Sequence, residues 1–292
     1  MSPEEFRSGY VALIGKPNVG KSTLLNALLG QKLSIVTPKA QTTRHRILGI
    51  LTEQDCQIIF LDTPGIMQPN TRLDKSMMRK VKESVSDADL VVFMADARAA
   101  EPDLLSLECI VHRPAILAIN KIDLVKQETL LPMVEAYMDL RYFEAVVPVS
   151  ALKGIRLTAL LQEIRERLSP GPAFYPPGML SEHPERFFVS EIIREKVFEK
   201  FRQEVPYSVA VTIVNFVERP VQKDLIEADI IVEQPSQKGI LIGSGGIALK
   251  SIGIAARRDI EFFLNRKVYL KLFVRVRKNW RNREAFLRSF GY

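Results

Sequence analysis

Residues 15–22 read GKPNVGKS, and this short segment restricts the fold of the chain more than any other feature of the sequence. The pattern GxxxxGK[ST] binds phosphate groups where it joins a buried strand to a helix. Both neighbours are present, because an apolar strand is predicted over residues 10–14 and a helix over residues 23–29. In that setting the glycines let backbone N–H groups point at a phosphate, and the helix adds its positive N-terminal end. The segment therefore predicts a phosphate-binding loop in an α/β domain, against the alternative of a chance match.

Two side chains of this loop have specific expected roles. Lys21 is expected to hold the β- and γ-phosphates of a nucleotide, and Ser22 to place its hydroxyl on Mg²⁺, which prefers oxygen ligands. The residues expected to surround the phosphates are Gly15, Lys16, Pro17, Asn18, Val19, Gly20, Lys21, Ser22 and Thr23.

A second motif, DTPG at residues 62–65, follows the apolar strand CQIIFL. The strand delivers Asp62 to the sheet edge that carries the phosphate loop, so this carboxylate is expected in the Mg²⁺ shell. Gly65 has no side chain, so its backbone N–H can approach the γ-phosphate and register its loss. An isolated DTPG is an ordinary turn, but its position 41 residues after Lys21 favours a switch element. The site residues assigned here are Asp62, Thr63, Pro64, Gly65 and Ile66.

A polar stretch, TPKAQTTRHR at residues 37–46, lies between these two motifs. Its length and chemistry predict a loop that becomes ordered when a threonine hydroxyl reaches Mg²⁺. Thr43 is our first choice for this ligand and Thr42 the second, and the alternative is that both are turn residues. Arg44 and His45 are interpreted as solvated loop residues, so neither is assigned a catalytic role.

A third motif, NKID at residues 120–123, follows the apolar strand AILAI and identifies the base. Asp123 can accept hydrogen bonds from guanine N1–H and the 2-amino group, whereas adenine would leave the carboxylate unpaired. Sites of this kind discriminate by about 10⁴ to 10⁵. Lys121 is expected to lay its methylene stem along the base and Asn120 to brace the loops. The base-site residues are Asn120, Lys121, Ile122 and Asp123, with Ser150, Ala151 and Leu152 supplying backbone N–H groups for guanine O6.

The three motifs and the segment SAL at residues 150–152 together predict a GTP-binding enzyme that converts GTP and water to GDP and phosphate, with an ATP-dependent enzyme as the alternative. Ile66 stands where many regulatory GTPases carry a glutamine that orients the attacking water. An isoleucine cannot align water, so slow intrinsic hydrolysis is expected, and no residue is assigned as the catalytic group.

The whole sequence predicts two domains. Strands at residues 10–14, 46–51, 56–61, 90–95, 115–119 and 145–149 alternate with helical stretches, which indicates an α/β fold with a six-stranded sheet. The second and third strands are too close for a crossover helix, so they should form an antiparallel hairpin and make the sheet mixed. The predicted P-loop GTPase domain covers residues 1–170, a Pro- and Gly-rich linker residues 171–184, and a smaller α+β domain residues 185–292.

The positive charge of the chain is concentrated near its C-terminal end. The net charge is +7, yet residues 240–292 hold 12 Lys or Arg and 3 Asp or Glu, which leaves a net charge of −2 for the rest. A GxxG loop, which lets an RNA backbone approach closely, precedes a basic helix in this part of the chain. The order helix-strand-strand-GxxG-helix-strand is that of a type II KH domain, so RNA binding is expected. The residues assigned to it are Gly243, Ser244, Gly245, Gly246, Lys250, Arg257 and Arg258.

Five aromatic residues of this domain are interpreted as core rather than as stacking platforms for bases. They are Phe262, Phe263, Tyr269, Phe273 and Trp280. The first residues, MSPEEF, do not resemble a signal peptide, and no apolar run approaches the roughly 18 to 20 residues of a membrane span. A monomer in the cytoplasm is therefore expected, with peripheral membrane contact left open.

The motifs GKPNVGKST, KAQTTRHR, DTPG, NKID and SAL, the Pro-rich linker and LIGSGGIALKSIGIAAR resemble those of the Era family of bacterial GTPases along essentially the whole chain. The resemblance implies a ribosome-assembly factor that binds the 3′ end of small-subunit ribosomal RNA, acts on the 30S subunit and associates peripherally with the inner membrane. It also implies that Asn18 ligates a monovalent cation, so activation by K⁺ is a hypothesis. Ser244 and Gly245 depart from the family in lacking a basic residue. The alternative is a GTPase switch whose C-terminal domain docks a protein or a membrane.

Overall fold

The structure is a computed structural model that describes residues 5–110 and 113–292. It contains two compact units. One comprises the described residues up to Pro69 together with Ser76–Glu182, and the other comprises Asn70–Lys75 and His183–Tyr292. Each unit has a sheet and a hydrophobic core of its own.

The first unit is built on a six-stranded sheet whose strands are β1 (Arg7–Ile14), β2 (Ile47–Thr52), β3 (Cys56–Asp62), β4 (Leu90–Asp96), β5 (Ala115–Asn120) and β6 (Ala145–Pro148). The strand order is β2-β3-β1-β4-β5-β6. All neighbouring pairs are parallel except β2 and β3, which form the predicted antiparallel hairpin. The predicted mixed sheet is therefore confirmed. The helices of this part of the chain are α1 (Lys21–Leu29), α2 (Arg72–Asp87), α3 (Leu104–Leu107), α4 (Gln127–Met138) and α5 (Leu157–Arg167).

The central strands of this sheet are buried on both faces, since every residue of β3 and β5 is buried. Such strands have no polar face and read as continuous apolar runs, which is why they are recognisable in the sequence. In a parallel sheet the carboxyl ends of the strands meet at one edge, and ligands bind in the crevice outside that edge. The phosphate loop follows β1, DTPG begins at the end of β3, and NKID begins at the end of β5. The topology therefore brings the predicted motifs to one place.

Most of the segment predicted to be a linker packs against the first unit. Gln57 of β3 is completely buried and binds this segment through its side-chain amide. Its Oε1 accepts hydrogen bonds from the backbone N–H groups of Phe174 (2.7 Å) and Tyr175 (2.9 Å), and its Nε2 donates to the Tyr175 carbonyl at 2.9 Å. The backbone N–H of Ile50 donates to the Leu180 carbonyl at 2.9 Å. The prolines and glycines of the Pro- and Gly-rich segment thus prevent helix or strand formation, but the segment still packs tightly against the sheet.

The second unit has a three-stranded sheet in the order β7-β8-β9. β7 (Ala210–Val217) pairs antiparallel with β8 (Asp224–Val232), and β8 pairs parallel with β9 (Val268–Val276). The helices are α6 (Glu185–Lys200), α7 (Glu204–Tyr207), α8 (Pro235–Ile242), α9 (Ile247–Leu264) and α10 (Glu284–Ser289). This is the predicted α+β arrangement, with two helices that were not predicted from the sequence, the four-residue α7 and the longer α8.

The longer of these two helices, α8, lies directly before the GxxG loop. It begins with a capping box in which the side chains of Gln234 and Gln237 bind each other's backbone N–H groups, and Pro235 occupies the first turn. The segment was not recognised as helical because it has only 8 residues, including Gly239. A helix this short depends on tertiary packing rather than on intrinsic propensity.

Three of the five aromatic residues interpreted as core lie at the surface, so that interpretation is wrong for them. Phe262 is 89% exposed, Tyr269 54% and Phe273 45%. Tyr269 and Phe273 occupy the face of β9 that points away from the helices, because side chains alternate along a strand. Trp280 is fully buried as expected, and Phe263 packs against the core.

Among the described residues no single helix is long and apolar enough to cross a membrane, although a pair bent by 49°, Pro235–Ile242 with Ser244–Leu264, meets the same length and composition test.

Candidate functional site

A cleft of about 540 Å³ opens at the carboxyl ends of the strands in the first unit. Lys21 begins α1 at its floor and is only 6% exposed. Its ammonium donates hydrogen bonds to the carbonyl oxygens of Gly15 and Lys16, both at 2.9 Å. Burial lowers the pKa of Lys21 to about 8, although the negative charges of Asp62 and Asp103 oppose this shift. The ammonium thus lacks a full counter-charge, and a phosphate would supply one.

Two glycines of the motifs are required by close packing around the cleft. A Cβ on Gly20, whose φ is +104°, would lie 2.2 Å from Asn120 Nδ2. A Cβ on Gly65 would lie 2.5 Å from the backbone nitrogen of Pro17. Only glycine fits at such distances, so the DTPG segment touches the phosphate loop directly.

The predicted magnesium ligands come together at one side of the cleft. Ser22 Oγ lies 2.8 Å from Thr43 Oγ1 and donates a hydrogen bond to Asp62 Oδ2 at 2.7 Å. Ser34, which the sequence analysis did not identify, donates to the same oxygen at 2.8 Å. The other oxygen, Asp62 Oδ1, is buried without a hydrogen-bond partner among the described residues. Burial raises the pKa of Asp62 despite these hydrogen bonds and the charge of Lys21.

A fully buried carboxylate with one unsatisfied oxygen, flanked by two hydroxyl groups, is a suitable oxygen donor set for a small divalent cation. Ser22, Thr43 and Asp62 therefore fit Mg²⁺. Bound there, the cation would neutralise the charge that develops on the phosphates during transfer.

The two threonines that the sequence left as alternative magnesium ligands have different hydrogen-bond partners in the structure. Thr42 donates its hydroxyl to the carbonyl of Lys39 at 2.7 Å, and its oxygen lies 2.6 Å from Thr37 Oγ1. Its side chain therefore stabilises the loop, whereas Thr43 faces Ser22. Arg44 was interpreted as a solvated loop residue, and this is wrong because its side chain is fully buried.

Ile66 lies behind the cleft rather than in it. Its side chain is buried in the core that contains Val91 and Phe93, and its backbone N–H donates to the Gly15 carbonyl at 3.1 Å. Because this side chain is apolar and faces the core, it has no group that could orient water.

Asn120 and Lys121 connect the base loop to the phosphate loop. Asn120 is buried, donates through Nδ2 to the Val19 carbonyl at 2.7 Å, and accepts from the Ala151 N–H at 2.9 Å. Lys121 has a left-handed backbone with φ of 68°, and its ammonium donates to Asp96 at 2.7 Å and to the Asn18 carbonyl. The Lys121 stem thereby spans the cleft.

Asp96 ends β4 and was not identified from the sequence. Burial disfavours its carboxylate, but hydrogen bonds from Arg98 and Lys121 outweigh that effect and hold the pKa of Asp96 below its usual range. The sequence did contain a signal for Asp96, namely a carboxylate at the end of an apolar strand. The polar site residues at the ends of β3 and β5 are placed in the same way.

Asp123 lies at the mouth of the cleft, where a base would be recognised. Ser150 donates its hydroxyl to Asp123 Oδ1 at 2.6 Å and in turn accepts the Lys153 N–H at 3.2 Å. The carboxylate is exposed and lines the cleft. It is therefore available to the edge of a purine.

The assigned nucleotide residues divide into two groups. Those that line the cleft are Pro17, Asn18, Gly20, Lys21, Ser22, Thr23, Thr43, Thr63, Gly65, Asn120, Lys121, Asp123, Ser150 and Leu152. Those outside its lining are Gly15, Lys16, Val19, Asp62, Pro64, Ile66, Ile122 and Ala151. Lining residues that the sequence analysis did not assign include Ile35, Val36, Thr37 and Arg98. Thr37 belongs to the predicted loop TPKAQTTRHR, whereas Ile35, Val36 and Arg98 carry no motif, so the sequence offered no signal for those three.

A separate groove of about 370 Å³ lies between α9 and β9 in the second unit. Gly246, Lys250, Gly253, Ile254 and Arg257 of its wall recur along one face of α9. Leu270 and Leu272 form the opposite side. The groove thus combines an apolar floor with two cations, which suits unpaired bases attached to a phosphate backbone.

The assigned RNA residues also divide. Gly243 and Gly245 have φ of 72° and 57°, and the loop they form leads to the groove. Arg258 lies outside the groove lining, is 80% exposed, and donates to Asp259 at 3.2 Å. Adjacent helical residues point about 100° apart, so Arg258 faces away from the groove wall formed by Lys250 and Arg257, and its assignment to RNA stays a prediction.

Comparisons with known proteins match both units. Residues 10–121 match the family described as 50S ribosome-binding GTPase, and residues 204–281 match the KH domain family. GTPase Era of Lacticaseibacillus paracasei is 49% identical over 99% of this chain and 97% of its own length. The chloroplastic GTPase ERA1 of Zea mays is 46% identical over 98% of this chain and 70% of its own length.

Two solved structures agree along almost the whole chain, each with 42% identity, a TM-score of 0.94, and coverage of 98% of this chain and 99% of theirs. One is a variant of Aquifex aeolicus Era bound to GDP.AlF4⁻. The other is Era in complex with MgGDPNP and nucleotides 1506–1542 of 16S ribosomal RNA. With its complete set of guanine-nucleotide motifs around one cleft, the chain belongs to the GTPase Era family and is a GTP-hydrolysing enzyme with a KH domain.

Proposed function

We propose that this GTPase binds the 3′ end of small-subunit ribosomal RNA through its KH domain and assists assembly of the 30S subunit. The observation that carries the proposal is the groove between α9 and β9, with Lys250 and Arg257 above an apolar floor. The relative solved with nucleotides of 16S ribosomal RNA supports the same partner. The nucleotide state of the first unit would then control when the RNA is held.

The cleft residues account for the binding of GTP before hydrolysis. Lys21 supplies charge to the phosphates, Asp123 recognises guanine, and Gly65 brings a backbone N–H close to the phosphate loop. Because Ile66 is buried and apolar, no side chain at that position activates water. We therefore expect a slow intrinsic rate, as suits a switch that waits for its partner.

We further propose that a monovalent cation, K⁺, assists hydrolysis beside Asn18. Asn18 Nδ2 donates to the carbonyl of Pro38 at 3.1 Å, which holds the Asn18 side chain, with its amide oxygen, beside the phosphate loop. Carbonyl oxygens are suitable ligands for hard cations. The positive charge would act on the phosphates where a side chain is missing.

Comparing GTP hydrolysis in KCl and NaCl at equal ionic strength tests the cation. We expect hydrolysis to be at least about tenfold faster in KCl, which is about 1.4 kcal/mol of transition-state stabilisation, and Asn18→Ala to abolish the difference. Asn70→Ala, at a residue that does not line the cleft, is the control. Equal rates in the two salts would overturn the proposal.

The RNA proposal is tested by measuring the affinity of the full chain for RNA from the 3′ end of 16S ribosomal RNA. Lys250→Gln/Arg257→Gln should weaken binding by at least about tenfold, because both charges line the groove. The matched control, Lys267→Gln/Arg288→Gln, removes two exposed cations that already have carboxylate partners. Equal affinity of the groove variant and this control would reject the groove as the RNA site.

The second candidate is a KH-like domain that docks a protein or a membrane, which the exposed Phe262 would favour. Binding to phosphatidylglycerol vesicles in the absence of RNA binding would support it. We propose a monomer in the cytoplasm with peripheral contact to the inner face of the cell membrane, to be checked by sedimentation and by cell fractionation.

A further inference from the structure

Most of the positively charged side chains near the C-terminal end are paired with carboxylates of the same chain. Of the 12 Lys and Arg residues in residues 240–292, seven have a carboxylate within salt-bridge distance. These are Arg258, Arg266, Lys267, Lys271, Arg275, Arg281 and Arg288. The net charge of this segment therefore overstates what a polyanion would meet, and the location of the remaining cations becomes informative.

The other five cations occupy two places. Lys250 and Arg257 line the groove. Arg277, Lys278 and Arg283 are exposed in the segment after β9, and within residues 5–110 and 113–292 none of the three has a salt-bridge partner. We call residues 277–283 the basic turn.

The basic turn is held rigidly by its backbone and by one buried side chain. The Arg277 N–H donates to the Val232 carbonyl at 2.8 Å, and the Arg283 N–H donates to the Trp280 carbonyl at 3.1 Å. Trp280 is fully buried, and its indole N–H donates to the Ser208 carbonyl at 2.8 Å. The exposed cations therefore project from an ordered segment, so less conformational entropy is lost when they bind.

The basic turn lies at the GxxG end of the groove. A Cβ on Gly253 would lie 3.6 Å from the Leu272 side chain, so these residues are level across the groove. Gly246, the residue before α9, is seven residues earlier, about 10 Å away at 1.5 Å per residue. Val276 is four residues later in β9, about 13 Å away at 3.3 Å per residue. Only residues 265–267 join α9 to β9, so the helix and the strand run antiparallel. The start of α9 and the end of β9 therefore lie at the same end of the groove.

We propose that the basic turn is a second phosphate-binding surface that extends the RNA track beyond the groove at its GxxG end. Resting on the proposed RNA function, this assigns contacts with RNA phosphates to Arg277, Lys278 and Arg283. Phosphates are the appropriate ligands because the three cations have no salt-bridge partner among the described residues and continue the line of Lys250. A lipid surface fits less well, since peripheral membrane segments insert apolar side chains, and the only apolar residue of the turn, Trp280, is buried.

The length of the RNA distinguishes this surface from the groove. We would measure the affinity of the full chain for a dodecanucleotide from the 3′ end of 16S ribosomal RNA and for tetranucleotides that tile it. Arg277→Gln/Lys278→Gln should weaken the dodecanucleotide about five- to tenfold and reduce the slope of log affinity against log salt by about 1.4, at about 0.7 per phosphate contact. Tetranucleotide affinity should change less than twofold. Lys267→Gln/Arg288→Gln, which removes the same charge elsewhere, should leave both RNAs within twofold of the unmodified protein.

Each other outcome has a definite meaning. If the test variant binds the dodecanucleotide as well as the control variant does, the second surface is rejected while the groove stands. If the unmodified protein binds neither RNA, the proposed function fails as well. Loss of affinity for phosphatidylglycerol vesicles without loss for RNA would assign the turn to lipid and overturn the proposal. Unchanged fluorescence of Trp280 would show that the variants retain the turn.

Discussion

Single residues in the cleft show where the folded protein leaves charge unsatisfied. Asp62 is fully buried with one oxygen lacking a hydrogen-bond partner in the described part of the chain, and Lys21 is buried with only carbonyl oxygens as direct partners. Burying an ionised group without a counter-charge is costly. Both costs are offset when Mg²⁺ and phosphate bind, so at these two positions stability has been given up for ligand affinity.

Asp123→Asn should convert the specificity of the base site. The amide replaces an acceptor with a donor opposite guanine N1–H, and at about 1.5–3 kcal/mol for each charged hydrogen bond the affinity for GTP should fall by at least about 100-fold. Xanthosine triphosphate, which has an oxygen in place of the 2-amino group, should bind more tightly than before. Calorimetry with GTP, xanthosine triphosphate and ATP measures this. Asp139→Asn is the control, and an unchanged GTP affinity in Asp123→Asn would contradict the assignment.

Nucleotide affinity should also depend on pH through Lys21, whose pKa burial lowers to about 8 in the free protein. The phosphates bind the ammonium form. Affinity for GDP should therefore stay constant below that pKa and fall by up to about tenfold per pH unit above it. Titrations from about pH 7 to about pH 9 measure the dependence. Lys21→Arg keeps its charge and controls for ionisation of the nucleotide, so parallel profiles for both proteins would exclude Lys21 as the titrating group.

Among the elements, the hairpin of β2 and β3 at one edge of the six-stranded sheet connects the nucleotide site with the Pro- and Gly-rich segment. β3 ends in Asp62, and the same strand holds Gln57, which binds the Pro- and Gly-rich segment. The segment lacks helix or strand, so its backbone groups depend on side chains and on strand edges for hydrogen bonds. One buried amide therefore determines how this segment packs.

Gln57→Leu should destabilise the protein by about 2–4 kcal/mol, because it keeps the volume but leaves the N–H groups of Phe174 and Tyr175 and the Tyr175 carbonyl without a partner, at about 1–3 kcal/mol each before relaxation. Urea unfolding followed by circular dichroism measures the free energy, and hydrogen exchange at Phe174 and Tyr175 localises the change. Gln162→Leu, on the exposed face of α5, should change stability by less than about 0.5 kcal/mol. Equal stability of the two variants would show that Gln57 does not hold the segment.

At the scale of the whole molecule, charge is divided between the two ligand sites. Residues before 240 carry a net charge of −2 and residues 240–292 a net charge of +9, of which five cations have no salt-bridge partner among the described residues. The positive field of the KH domain therefore attracts a polyanion at long range, whereas binding at the nucleotide site depends on short-range contacts with buried residues.

RNA affinity should consequently depend steeply on salt. If all five cations contact phosphates, log affinity should fall with log salt with a slope of about −3.5, or about 100-fold between about 50 and 200 mM. GDP affinity of the same protein should change much less, because the Lys21 site is buried and weakly screened. Filter binding and calorimetry over the same salt series provide the two slopes. Similar slopes for RNA and GDP would contradict this division of charge.

The nucleotide chemistry can be predicted from residue order alone, because each motif is a local segment at the end of an apolar strand that is recognisable by composition. Asp62, Asn120 and Ser22 needed only that placement to be identified. The tertiary structure decided which faces are buried: it enclosed Arg44, exposed Phe262, and separated Thr43 from Thr42. The burial or exposure of these residues depends on whether a segment distant in sequence packs against that side of the loop, helix or strand. Residue types and spacing therefore specify the chemistry of a site, whereas burial is a property of the packed chain.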